Sequence, residues 1–214
     1  MQRLTSCPLE VKSIDLTDMK TIAITGHPRE KLGKQAAKRL RGGANALCVL
    51  YGARESLPFY TPMALLRDLV YTPNAYFVHL TLEDTVYTCI LQDIQFHPVS
   101  EMILHVDFLR IFDDKKIKMQ IPTALTGQAP GVIKGGMLVR KLRELPVLAY
   151  PKDMPENIQV DVSKFELGQM VRVGELPSQR YAILLSPTIP LASVEIPRAL
   201  RSAADKAEAE TAAG

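Results

Sequence analysis

Residues 76–94 read YFVHLTLEDTVYTCILQDI, and this stretch decides the fold class. Its first half alternates in polarity, so that one side of a predicted strand carries Tyr76, Val78, Leu80 and Leu82. The polar pair Glu83-Asp84 predicts a turn, and residues 86–94 run back as a second strand. The stretch is therefore a predicted β-hairpin.

Short strands and helices are predicted on both sides of this hairpin. Upstream, the pattern predicts strands at residues 21–25 and 47–51 and short helices at residues 34–41 and 62–70. Downstream, residues 103–111 alternate again, with one face formed by Ile103, His105, Asp107, Leu109 and Ile111. Two polar side chains on that face are unusual for a buried surface.

The sequence DDKK at residues 113–116 is the best candidate for a domain boundary. Beyond it, short strands are predicted at residues 117–124, 145–149, 158–162, 170–173, 183–186 and 192–196, punctuated by proline and glycine. Many short strands at this spacing are typical of sandwich or barrel pieces. We therefore expect a mostly β protein with short helices and two domains.

Composition excludes several classes of protein. None of the apolar runs in the 214 residues approaches the roughly 20 residues of a membrane helix. The first nineteen residues contain three acids and no apolar segment, so we expect neither a membrane protein nor a signal peptide, and a cytoplasmic chain. The cysteines Cys7, Cys48 and Cys89 are far apart and odd in number, which predicts neither a disulfide framework nor a metal site.

The net charge of only +3 hides a strongly basic segment at residues 29–41, where six cations face the single acid Glu30. On the predicted helix, Lys34, Lys38 and Arg41 fall on one face. Their repeat of about 5 to 6 Å resembles the phosphate spacing of a nucleic-acid strand. A solvated helix face is the alternative interpretation. A P-loop is excluded, because Pro28 and Gln35 stand where it needs glycine and serine or threonine.

The second polar group lies in residues 92–98 and 105–110. As an enzyme site, His105 with Asp107 would suggest a catalytic base and its orienting carboxylate. Side chains two residues apart on a strand stand parallel, about 7 Å apart, which we expect to be a poor pairing geometry. No nucleophile accompanies them, and His97 with His105 has no spaced third metal ligand. We therefore expect either a structural polar network or a strand face that reads the minor groove of RNA.

Several strings in order carry a family resemblance. They are REKLGKQAAKRLR at 29–41, VLYG at 49–52, LQDIQFHP at 91–98 and HVDFLR at 105–110, followed by GVIKGG at 131–136, LREL at 142–145, PENI at 155–158 and VDVS at 160–163. The chain resembles the long form of the ribosomal protein family L-twenty-five, also called the general stress protein CTC family. The resemblance covers roughly residues 20–197.

The resemblance implies a small N-terminal β-barrel that binds the loop E region of 5S ribosomal RNA (5S rRNA), and a C-terminal CTC-type β domain. It implies a protein of the large ribosomal subunit without catalytic activity, cofactor, metal, membrane or small-molecule substrate. Carried over by position, the implied RNA contacts are Arg29, Lys34, Lys38, Arg39, Arg41, Tyr51, Gln92, Gln95, His105 and Asp107.

The implied domains are 19–113 for RNA binding and 114–197 for the second β domain. Residues 1–18 precede the family-like pattern and are expected to be a disordered extension or an upstream-start artefact. Residues 198–214 are expected to form a flexible tail rich in alanine and glutamate. The alternative function is a β-domain stress protein that binds a protein or small molecule and no RNA.

Overall fold

A computed structural model describes residues 19–52, 56–176 and 180–197 of the chain. Contacts divide it into two compact units. The first comprises the chain up to Thr72 together with Tyr76–Lys115, and the second comprises Pro73–Ala75 and the chain from Lys116. The extension at 1–18 and the tail at 198–214 lie outside the described residues. Within the described ranges, none of the helices has the length and apolarity needed to cross a membrane.

The first unit is a closed six-stranded barrel. Its strands are β1 (Thr21–Pro28), β2 (Asn45–Tyr51), β3 (Leu57–Pro62), β4 (Phe77–Leu82), β5 (Thr85–Phe96) and β6 (Ile103–Arg110). They are hydrogen-bonded in the order β1-β3-β2-β6-β5-β4. Parallel pairing of β1 with β4 closes the ring, so neither strand has a free edge.

Apolar side chains from every strand fill the barrel. The rings of Phe59 and Phe108 are fully buried in this core, together with Ile24, Val78 and Leu80. Burying one such side chain stabilises the fold by about 1.5–3 kcal/mol relative to leaving it exposed. Because strand side chains alternate, the positions between the core residues point outward, and those of them that are exposed are available for binding.

Two short helices lie outside the barrel strands. Helix α1 (Lys34–Gly42) connects β1 to β2, and its last turn is closed by the backbone N–H of Gly43. Helix α2 (Met63–Val70) follows β3 and buries Leu66 and Leu69. Only α2 contributes side chains to the core, since α1 contains no fully buried residue. The polar surface of α1 therefore faces solvent.

The second unit contains two small sheets. Their strands are β7 (Ile117–Thr126), β8 (Met137–Arg140), β9 (Glu144–Ala149), β10 (Ile158–Asp161), β11 (Met170–Arg172), β12 (Ala182–Ile183) and β13 (Pro190–Glu195). One sheet has the order β10-β7-β9-β12 and the other β11-β13-β8. A short helix, α3 (Pro130–Ile133), precedes β8.

The structure confirms the mostly β class and the hairpin of residues 76–94. Its strands β4 and β5 are joined by a two-residue turn in which Glu83 has φ +52°. The sequence pattern missed β3 and β8. Strand β3 begins and ends near prolines, Pro58 and Pro62, which weaken a strand prediction because they donate no hydrogen bond.

Candidate nucleic-acid interface

The exposed face of α1 carries three cations. Lys34, Lys38 and Arg39 are solvent-exposed, whereas Ala36, Ala37 and Leu40 are half-buried on the opposite side, where the helix contacts β2. Gly33 precedes the helix at φ +120°, a conformation that favours glycine. Among the residues that the structure describes, none of the three cations has an acidic partner within 4 Å. Their full charge is therefore available to an anionic ligand.

Arg41 is less exposed than Lys34 and Lys38, with which the sequence prediction grouped it on one helix face. It is half-buried, and its Nε donates a hydrogen bond of 3.3 Å to the carbonyl of Leu104 in β6. Leu104 is the extra residue of a β-bulge between β5 and β6, so its carbonyl is a natural target for a side-chain donor. Arg41 thus ties the end of α1 to β6, and Arg39 replaces it on the exposed face.

Arg29 lies at the end of β1 beside an open cavity of about 1000 Å³. Its backbone N–H donates to the carbonyl of Pro58, which holds the segment against β3. Its Nε is enclosed and has no hydrogen-bond partner in the described part of the chain. The cavity is also lined by Lys31 and Tyr60, which were not among the implied RNA contacts. Tyr60 lies on β3, the strand that the pattern missed.

The predicted polar residues come together on the outer face of β2, β5 and β6. The ladder places Gln95 opposite His105 and Asp93 opposite Asp107. Gln92 is the extra residue of a second bulge in β5 and is exposed. We call Tyr51, Gln92, Gln95, His105 and Asp107 the polar strip. Asp93 belongs to the same surface, although it was not among the implied RNA contacts.

His105 and Asp107 form a pair, so the expectation of poor pairing geometry was wrong. The His105 Nδ1 lies 2.8 Å from Asp107 Oδ1, and both side chains are about one-third exposed. The expectation assumed a regular strand, whereas bulges flank these residues and increase the local twist. The contact assigns the Nδ1 hydrogen to this bond, which leaves Nε2 pointing away from Asp107.

Tyr51 completes the polar strip at the end of β2, next to Gly52. Desolvation raises the pKa of its hydroxyl, and the negative charges of Asp107 and Asp93 raise it further. The phenol therefore stays protonated at neutral pH and remains a hydrogen-bond donor. No group of three or more potential metal ligands occurs among the described residues.

The closed barrel, its cationic helix and the adjacent polar strip define a class: a two-unit β protein with the features of a nucleic-acid-binding domain. The family model described as Ribosomal L25p family matches residues 24–108, and the model for the ribosomal protein TL5 C-terminal domain matches residues 116–198. The chain belongs to the ribosomal L25p family.

Similar proteins cover most of the chain. Large ribosomal subunit protein bL25 from Amoebophilus asiaticus is 60% identical over 190 residues, which span 89% of this chain and 97% of that protein. The protein of the same name from Cytophaga hutchinsonii is 48% identical over 183 residues, spanning 86% and 95%. The one from Porphyromonas gingivalis is 40% identical over 190 residues, spanning 88% and 99%. Family membership confirms the predicted resemblance and the expectation that the chain is not an enzyme.

Proposed function

We propose that the chain is a structural protein of the large ribosomal subunit that binds the loop E region of 5S rRNA with its first unit. The names of its relatives support the ribosomal assignment. The RNA site itself is proposed from the barrel surface. One observation carries it: Arg41 fastens the cationic helix to β6, the strand that supplies two of the five residues of the polar strip.

The cationic part of the site positions the RNA backbone. Lys34, Lys38 and Arg39 are exposed and have no acidic partner in the described ranges, so each can neutralise a phosphate. Arg29 adds a guanidinium at the cavity beside α1, and its Nε has no hydrogen-bond partner among the described residues. Arg41 adds positive charge where the helix meets the barrel. These contacts supply affinity without sequence information.

The polar strip recognises the shape and edges of the groove. Double-stranded RNA has a wide, shallow minor groove that displays base edges and 2′-hydroxyls. Bonded to Asp107 through Nδ1, His105 presents Nε2 for a hydrogen bond with a 2′-hydroxyl or a base edge. Gln92 and Gln95 offer both donors and acceptors, and Tyr51 offers a donor. Because His105 and Asp107 are already held together, their side chains lose less entropy when RNA binds.

The test compares two RNAs bound by the full-length chain. One is a 5S rRNA fragment that contains loop E, and the other is a regular duplex of equal length. We expect His105→Ala and Asp107→Asn each to lower affinity for the loop E fragment by about 1–3 kcal/mol more than for the duplex. His79→Ala is the matched control, since His79 is a half-buried histidine on β4 of the same barrel.

An equal loss on both RNAs, or no preference of the wild-type chain for the loop E fragment, would remove the basis of this proposal. Fluorescence anisotropy at fixed salt gives the dissociation constants. Circular dichroism melting of each variant separates a binding effect from unfolding, because loss of the His105–Asp107 contact alone should leave the β core intact.

A further inference from the structure

The turn between β8 and β9 in the second unit is held at both ends by backbone hydrogen bonds. The N–H groups of Lys141 and Leu142 both donate to the carbonyl of Leu191, at 2.8 and 3.2 Å. Leu191 is buried in β13, with 1% of its surface exposed. The first half of the turn is therefore anchored to the centre of a sheet.

Thr123 fixes the second half of the same turn. It is a buried polar residue, 4% exposed. Its backbone N–H donates to the carbonyl of Arg143 at 2.9 Å, and its hydroxyl lies 3.2 and 3.1 Å from the carbonyls of Leu142 and Arg143. Because the turn is already ordered, a ligand that binds to it pays little entropy for fixing the backbone.

The charges on this turn are unequally neutralised. Lys141 pairs with Glu195. Arg140 and Arg143 are exposed and make no ion pair within the part of the chain that the structure describes. A fixed turn that neutralises its lysine and leaves two guanidinium groups unpaired presents positive charge at a defined place.

Both arginines line a cavity of about 610 Å³, all of whose lining residues belong to the second unit. Its other walls are mainly apolar and include Pro73, Pro122 and Leu138. Glu144 is the single acid. The cavity therefore combines two donors suited to an anion with flat apolar surfaces and one acceptor. We call it the Arg140–Arg143 cleft.

We propose that the Arg140–Arg143 cleft binds an unpaired nucleotide of ribosomal RNA. The guanidinium groups hold the phosphate, since a planar fork of N–H donors matches its oxygens. The apolar walls contact the ribose or base, and Glu144 accepts a hydrogen bond from a hydroxyl or amino group. Membership in a ribosomal family favours RNA over an acidic peptide as the occupant.

Heteronuclear NMR of the full-length chain with single-stranded octauridylate tests the cleft. We expect amide resonances of residues 138–144 to shift and saturate. Arg140→Ala/Arg143→Ala should weaken this local binding by about tenfold or more, equivalent to at least about 1.4 kcal/mol. Lys118→Ala/Arg172→Ala is the matched control: it removes the same charge from exposed strand positions of the second unit outside the cleft and should change the local affinity less than about twofold.

Three results would each overturn the proposal. The first is the absence of any saturable shift at residues 138–144 with octauridylate. The second is equal affinity for inorganic phosphate, which would reduce the cleft to a simple anion site. The third is tighter binding of octaglutamate to the same resonances, which would identify an acidic protein segment as the occupant. Each readout is local to the second unit, so the outcome is independent of 5S rRNA binding by the first.

Discussion

Replacing the three exposed cations of α1 by Lys34→Ala/Lys38→Ala/Arg39→Ala should flatten the salt dependence of 5S rRNA binding. None of the three has an acidic partner among the described residues, so none of their charge is already neutralised by the protein. Each phosphate contact contributes a slope of roughly 0.7–0.9 in log K against log salt. The variant should therefore lose roughly 2–3 units of slope.

This change in slope predicts a measurable difference in affinity. Between about 50 and 200 mM salt, the wild-type chain should lose roughly 20- to 40-fold more affinity than the variant. Fluorescence anisotropy of a labelled loop E fragment at several salt concentrations measures both slopes. The fold should survive, because α1 contains no fully buried residue and alanine favours the helix.

A control variant with the same loss of charge is Lys118→Ala/Lys152→Ala/Arg172→Ala. These exposed residues belong to the second unit. The control should keep nearly all of the wild-type slope. The reasoning is refuted if the α1 variant, with an unchanged melting temperature, also keeps the wild-type slope; the three cations would then be a solvated helix face.

Three further predictions concern the structural roles of single residues. Arg41→Gln should lower the free energy of unfolding, measured by chemical denaturation, by about 1–2 kcal/mol, because the hydrogen bond to β6 is lost. Arg41→Lys should not fully restore the stability, because lysine lacks the guanidinium Nε–H that donates this bond. Burial raises the pKa of both Cys48 and Cys89 to about 12, so at pH 8 only roughly one thiol in ten thousand is a thiolate. Iodoacetamide should therefore label the peptides that contain them only after unfolding. Labelling of the two cysteines in the native chain would contradict their burial. Gly127→Ala should lower the melting temperature by several degrees, since Gly127 has φ +86° and an added Cβ would collide with the side chain of Ser163. An unchanged melting temperature would show that the loop relaxes at little cost.

The local elements were predictable where one pattern dominated a stretch of chain. The hairpin of β4 and β5 follows from the alternation of polarity on both sides of Glu83-Asp84. Helix α1 ends at Gly42, where the pair Gly42-Gly43 predicts its end. Strand β3 was not predictable, because Pro58 and Pro62 argue against a strand. Its ladder with β1 covers only two residue pairs, so these prolines cost few hydrogen bonds.

Within the candidate site, the sequence identified the residues but not their arrangement. The row of cations and the polar strip could be found because charge and strand alternation are visible in the chain itself. The sequence could not reveal that β6 is bulged, since a bulge depends on the register with β5. That bulge frees the Leu104 carbonyl for Arg41, and distortion of this strand accompanies the contact of His105 with Asp107.

The sequence by itself therefore determined the class of fold, the positions of most strands and the chemical types on the candidate surface, because these depend on side chains near one another in the chain. The tertiary structure alone decided the closure of the barrel through β1 and β4, the diversion of Arg41 and the cavity beside Tyr60. Each of these joins segments far apart in sequence. Their pairing is fixed by the burial of a common core and by backbone hydrogen bonds, which no local pattern of residues records.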